Sequence, residues 1–308
     1  MKEIIAPVDK SLLIKELTQD LFLRDVNFGD NLIYIVDHKS APNVILEIGR
    51  LRELTFRAAG GGTGKELDLD EFDLSDNAYK QLIVWNPVAN EIVGGYRYIH
   101  CKNVIGEDGK VDLATTELFH FSSQFVNDYL PFTIELGRSF VQPEYQPSAN
   151  NRKGLFSLDN LWDGLGALFI INPDVKYFFG KITMYNHYNA ESRDLILYFL
   201  KHYFPDNENL VYPIEPIGYK TDITPHLGMF DGLAYKEGHK MLNQFVRRHS
   251  ENIPPLVNAY MNLSATMKSF GTAINAHFGD VEETGILVTI ADIYESKKER
   301  HVASYNRQ

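Results

Sequence analysis

The chain has 308 residues, 44% of them hydrophobic and 12% aromatic, which is enough apolar material for a substantial buried core. Its formal net charge of -11 is spread along the sequence and excludes a general nucleic-acid binder, because neutralising phosphates needs a concentrated basic face. A single cysteine, Cys101, excludes an intramolecular disulfide framework and a cysteine-built zinc site, and is expected to be a small half-buried strand residue.

At the start, "MKEIIAPVDKSLLIKEL" lacks the uninterrupted apolar core of a signal peptide, and no later segment approaches the roughly 18 apolar residues a membrane span needs. A cytoplasmic protein is therefore expected. A short amphipathic piece, Leu12 to Phe22, precedes a strand in "NLIYIVDH". A helix is expected from Asn43 to about Arg57, with Asn43 as its cap and Val44, Ile48, Leu51 and Thr55 on one face. The glycines of "AAGGGTGKE" then break regularity, and without a partner such a run is expected to be mobile. "KQLIVWN" and "EIVGGYRYIHC" read as a strand hairpin turning at Asn86, Pro87 and Asn90. "ELFHFSSQF" fits strand or helix, and "FTIELGRSFVQP" is the most strand-like segment, stopped by Pro143. A helix from Ser157 to Ile171, a strand in "KYFFGKITM" and a helix in "NAESRDLILYFLKHYF", capped by Asn189, complete a mixed α/β layer.

Beyond Pro205, "DNENLVYPIEPIGY" reads as an extended crossing, "EGHKMLNQFVRR" and "PPLVNAYMNLSATM" as helices, and "TGILVTIADI" as a closing strand. No linker marks a second domain. The expected organisation is an N-terminal extension over 1–40, a core over 41–205, and a part over 206–308 that completes the same domain.

Several familiar signatures are missing. In "GGGTGKE" the phosphate-loop pattern fails, since Ala59 stands at its first glycine and Glu66 at its Ser/Thr. The ten histidines form no metal-ligand spacing such as H-E-x-x-H, so no metal is expected, and no G-x-S-x-G elbow occurs. What stands out is a set of charges where the apolar pattern predicts burial: Arg52 beside Leu51, Leu54 and Phe56; Asp70 and Asp73 around Phe72; Arg97 in "GGYRYI"; Glu135 and Arg138 in "IELGRSF". Buried charges must pair, so these residues form either a structural ion network or a polar site for a zwitterion. The second reading sets an amine against carboxylates and a carboxylate against arginine.

In order along the chain, "RLRELTFR", "DEFD", "GGYRY" and "ELGRSFV" resemble the acyl-homoserine lactone synthases. They resemble more closely the hemolysin-like N-acyltransferases that make ornithine and glycine lipids, and "NLWDGLGALFI", "YFFGKITM" and "ENIPPLVNAYMNLSATM" extend that likeness from about Val44 to Val302. The resemblance implies the GNAT fold, a mixed sheet splayed at its centre where the pantetheine arm of a thioester enters. It implies an acceptor side lined by Arg52, Phe56, Asp70, Asp73, Arg97 and Arg138, and a catalytic base at Glu135. Strand backbone beyond Gly137, at Ser139 and Val141, would hold the acyl thioester. It also implies the reaction: transfer of a long-chain fatty acyl group, plain or 3-hydroxylated, to the α-amine of a small amino acid, giving a lipoamino acid. A thioester is already activated, so no covalent enzyme intermediate and no permanently bound cofactor are needed.

The usual [QR]-x-x-G-x-[GA] pyrophosphate loop of these folds is altered here to "NRKGLF", with Asn151 first and Phe156 last, although Gly154 remains. That change favours the single phosphate of an acyl carrier protein over coenzyme A as donor. Arg152 and Lys153 are then expected to dock the acidic carrier or, more simply, to solvate a loop. Where the family carries a proline and aspartate run, this chain has "FGTAINAHFGD" with Asn275 and Asp280. "GILVTIADI" and "KYFFGK" fit an acyl tunnel or a packed core equally. An apolar product tail implies peripheral contact with the inner membrane. The rival readings are a lactone synthase using S-adenosylmethionine, a short-chain acetyltransferase, and a non-catalytic module binding fatty acid or acyl carrier protein.

Overall fold

A computed structural model describes residues 1–106, 109–146, 154, 156–303 and 305, so Arg152 and Lys153 lie outside the described residues. Asp9 caps helix α1 (Lys10–Glu16), accepting from the Ser11 amide at 2.8 Å. Strands β1 (Phe22–Asp25) and β2 (Leu32–Val36) form an antiparallel pair. Helix α2 (Pro42–Ala58) starts at a proline whose missing N–H is no loss there, and it is not capped by Asn43. Instead the Glu16 carboxylate, at the end of α1, accepts from the Asn43 and Val44 amides at 2.9 and 3.0 Å. An acid at the positive end of the helix, brought from elsewhere in the chain, does what a local cap would do.

A single turn, α3 (Glu71–Leu74), precedes the hairpin of β3 (Lys80–Asn86) and β4 (Glu91–His100). The Asn86 side chain accepts from the Val88 and Ala89 amides, and Asn90 takes φ +55°, so both asparagines of the expected turn shape it. "ELFHFSSQF" proves to be both of its alternatives, a short strand β5 (Phe119–Phe121) running into a helical turn over Phe125–Tyr129. Strand β6 (Thr133–Val141), helix α4 (Ser157–Ile171), strand β7 (Tyr177–Met184) and helix α5 (Ala190–Tyr203) follow as expected, α5 capped by Asn189. Then come β8 (Val211–Pro213), α6 (Tyr235–Arg248), α7 (Pro255–Met261), β9 (Lys268–Asn275), β10 (Val281–Thr289) and α8 (Glu295–His301). The sequence reading missed β1, α3, β9 and α8, and began the closing strand three residues late.

Two compact units result. The first comprises 1–114, 132–175 and 295–308, and the second 115–131 and 176–294, so neither follows the boundaries expected at residues 40 and 205. In the first unit the strand order is β1-β2-β3-β4-β6, every neighbour antiparallel. Period-2 alternation puts Gln81 of β3 and Arg97 of β4, paired in register, on one face, and Leu82 with Tyr96 on the other. Helix α2 covers the first face and α4 the second, so the charged residues lie under α2. In the second unit β7, β10 and β9 form an antiparallel sheet, and β5 pairs with β8. Phe178 and Phe179 of "KYFFGK" are buried there, and neighbouring ring centroids among Phe121, Phe125, Phe179 and Phe270 stand 5.1 to 6.3 Å apart. Close-packed aromatics of this kind make a core.

Candidate functional site

Helix α2 is buried almost all the way round, because Glu47, Arg52 and Glu53 are covered as well as its apolar stripe. Leu54, expected to pack beside Arg52, is 36% exposed instead. Each buried charge has its own arrangement of partners. Glu53 accepts from the Thr63 amide and hydroxyl at 3.0 and 2.8 Å, the Gly64 amide at 2.8 Å and the Arg57 guanidinium. The glycine-rich loop is therefore folded around a carboxylate rather than mobile, with Gly60, Gly62 and Gly64 supplying left-handed φ of +89°, +89° and +72°. The missing partner was on the preceding helix.

Arg52 is fully buried and faces the sheet, donating to Asp73 at 3.0 Å and to Gln81 at 2.5 Å; Gln81 in turn donates to Asp73 at 2.9 Å. Asp73 also closes the start of α3, accepting from the Asp70 amide at 3.2 Å. Arg97 reaches both aspartates, at 2.8 Å from Asp70 and 3.3 Å from Asp73, and lies across the rings of Phe72 and Tyr79. Arg138 pairs with Asp68 at 3.0 Å and stands 3.8 Å from Asp70. Three guanidiniums thus meet three carboxylates, and the open edge of the cluster is at Asp70 and Arg138, whose side chains are 27% and 14% exposed.

Burial opposes both charges of the Arg97–Asp73 contact, and the partners outweigh it. Arg52 and Arg97 hold the Asp73 carboxyl well below the usual carboxylate range against its desolvation. Asp73 and Asp70 likewise hold Arg97 well above its ordinary value. The ε nitrogens of Arg52 and Arg97 have no hydrogen-bond partner among the described residues.

Glu135 is 1% exposed and pairs in register with Ile99, which puts it on the same face as Arg97 and two residues ahead of Gly137. Burial, and then the Glu135 charge, keep the Tyr79 phenol and the Cys101 thiol well above their ordinary ranges. Cys101 is wholly buried rather than half-buried. Just past Gly137 the register between β4 and β6 slips, since Arg97 faces Gly137 but Gly95 faces Phe140. Arg138 takes φ +49° at this bulge, which leaves Ser139 and its neighbour outside the regular ladder. Gly94 permits the approach of the strands here: a Cβ would collide with the Phe140 carbonyl oxygen. Ser139 and Val141 follow the bulge, half-exposed, and the hydroxyl of buried Tyr96 is pushed up to about 12 by desolvation.

Of the residues singled out in the sequence, Arg52, Asp70, Asp73, Arg97 and Arg138 are brought into one ion cluster, and Glu135 lies on the same strand face as Arg97. Phe56 lies one turn along α2 from Arg52 and is buried. Gly154 has no room for a side chain, as a Cβ would meet the Tyr145 carbonyl. The sequence reading missed Asp68 and Gln81. Asp68 belongs to the same alternating "LDLDEFD" run as Asp70, and Gln81 is a polar residue inside an apolar strand, so both carried a legible signal.

A family model described as an acetyltransferase (GNAT) domain matches residues 51–153, the stretch that carries every residue of the cluster. Fold and match together define the class: this is a GNAT-fold acyltransferase. Along 100% of the chain and 95% of its own length, a glycine N(alpha)-acyltransferase of Phocaeicola vulgatus is 55% identical; a glycine N(alpha)-acyltransferase of Bacteroides thetaiotaomicron is 57% identical over 99% of the chain and 91% of its own length. The chain belongs to this family of amino-acid N-acyltransferases. Among solved structures, the acyl-homoserine lactone synthase LasI aligns with 91% of this chain and 99% of its own, at a TM-score of 0.43 and 9% identity. No helix among the described residues is long and apolar enough to cross a membrane.

Proposed function

We propose that the chain transfers a long-chain fatty acyl group, plain or 3-hydroxylated, from the phosphopantetheine thioester of an acyl carrier protein to the α-amine of glycine. What carries this reading is the likeness along the whole chain to two proteins named glycine N(alpha)-acyltransferase. The buried cluster supports it chemically. A glycine zwitterion finds its complement at the open edge, the ammonium beside Asp70 and the carboxylate beside Arg138, whose 3.8 Å separation is loose enough for each to take a new partner. Arg52, Arg97, Asp73 and Gln81 brace that edge from behind, while Asp68 holds Arg138.

The free amine attacks the thioester carbonyl; the carbon–nitrogen bond forms, the carbon–sulfur bond breaks, and the departing pantetheine thiolate takes the proton shed by the new amide nitrogen. The proton that the bound ammonium must first lose goes to Glu135 and from there to solvent. At 1% exposure this carboxylate is reached through a relayed water rather than by direct contact. The backbone of the bulge that follows Gly137 is suited to meet the oxyanion and the pantetheine amides, and one such N–H donor is worth on the order of 3 kcal/mol. Arg152, Lys153 and Gly154 are proposed to receive the phosphate end of the donor, and the acyl product accounts for peripheral contact with the membrane.

The test incubates the purified protein with palmitoyl and 3-hydroxypalmitoyl acyl carrier protein, or the matching acyl-CoA, and an equimolar pool of amino acids. Free thiol and product mass are followed together. The expected result is N-acylglycine in step with thiol release from the carrier protein. Equal use of acyl-CoA would move the donor, another amino acid in the product would overturn the acceptor, and no thiol release from any donor would overturn the reading.

A further inference from the structure

On a chain with net charge -11, helix α6 carries four exposed cations, Lys236, Lys240, Arg247 and Arg248. None of the four forms an ion pair with any described residue. At about 100° per residue, Lys236, Lys240 and Arg247 fall within about 40° of one another and Arg248 about 80° further round, so they form one stripe roughly 18 Å long. The opposite face is anchored by buried Gly238, Leu242, Phe245 and Val246. The stripe holds one acid, Glu237, and its carboxylate is turned back to the Ala234 amide at 3.3 Å. Along its edge stands Met241, 37% exposed. The His226 ring packs on Phe245 of α6 with centroids 4.9 Å apart, and its chain neighbour Leu227 is 59% exposed.

We propose that this face of α6 seats the protein on a bilayer rich in anionic phospholipid. A straight row of cations matches a planar array of phosphates, and exposed Met241 at its edge enters the headgroup boundary. An acidic protein surface is the competing partner for the same cations, and the straight row of about 18 Å on a single helix face suits a plane of phosphates better than a curved protein surface. The proposal deepens the reading given above, in which the product carries a long acyl chain that must pass to a membrane.

The experiment measures co-sedimentation of the full chain with vesicles of phosphatidylcholine alone and of phosphatidylcholine with 30% phosphatidylglycerol, at about 50 and about 500 mM salt. Neither acyl donor nor glycine is present, so the result is independent of acyl transfer, which is read separately by thiol release. Binding is expected to the anionic vesicles alone and to weaken with salt. Each cation near such a surface strengthens partitioning about five-fold, so combining Lys236→Gln, Lys240→Gln, Arg247→Gln and Arg248→Gln should lower it about 100-fold or more with the melting temperature unchanged. Met241→Asp alone should weaken binding and leave the fold intact. No binding to anionic vesicles at low salt, or equal binding by the fourfold variant, would overturn the proposal. So would a fourfold variant that keeps the vesicles and loses an acidic acyl carrier protein.

Discussion

Asp73 has no exposed side-chain surface and faces two arginines, and although desolvation pushes the other way, Arg52 and Arg97 hold its carboxyl well below the ordinary carboxylate range. A depressed folded-state value means that the unfolded chain binds this proton first. The stabilisation is complete above the ordinary carboxylate range and is lost as the pH falls below about 4. Asp73→Asn leaves two buried guanidiniums short of a partner and should cost about 3–5 kcal/mol at pH 7. Urea unfolding of both proteins should give a gap that is constant from pH 7 to about 5 and closes below about 4. A gap that stays constant to pH 2.5 would mean that Asp73 does not carry this charge. At this scale much was legible, because a charged residue in an apolar context has to find a partner. The pairings were not: which aspartate faces which arginine depends on the α2-to-sheet approach, and Gln81 enters only because that approach leaves one guanidinium branch beside β3.

At the scale of elements, strand and helix periodicity gave β2, α2, β3, β4, β6 and α4 of the first unit but not the short β1, α3 and α8. Its failures concern partners distant in sequence. The 60–64 loop looked mobile because nothing within it satisfies its amides; Glu53, two helical turns earlier, does so. Glu53→Ala should therefore speed amide hydrogen exchange at Thr63 and Gly64 by about 10-fold or more while α4 exchanges as before. Unchanged exchange in the loop would show that its glycines hold it without the carboxylate. Asn43 failed as a cap for the same reason, since Glu16 arrives from another helix. Strand β9 escaped notice because "KSFGTAIN" alternates weakly and carries Gly271 at φ +88° in its middle. The bulge in β6 has no sequence signal of its own apart from Gly137, because an L-residue, Arg138, takes the left-handed position.

At the scale of the molecule, all the residues argued to act on the acceptor belong to one compact unit, although they come from 52 to 138 in the sequence. The order of the charged motifs was legible and pointed to the family; the division into units was not, because 115–131 leaves the first unit between two of its strands and no linker composition marks the departure. A balanced set of three arginines and three aspartates has its own structural reason to exist, so the charge that distinguishes an enzyme from an ion network is the fourth carboxylate, Glu135. The most direct test is the turnover of Glu135→Gln with acyl carrier protein thioester and glycine, after equal melting temperatures have shown the fold to be intact. Turnover should fall by about 100-fold or more with little change in the KM for glycine. Turnover near that of the natural chain would contradict the account and return Glu135 to the architecture of the sheet.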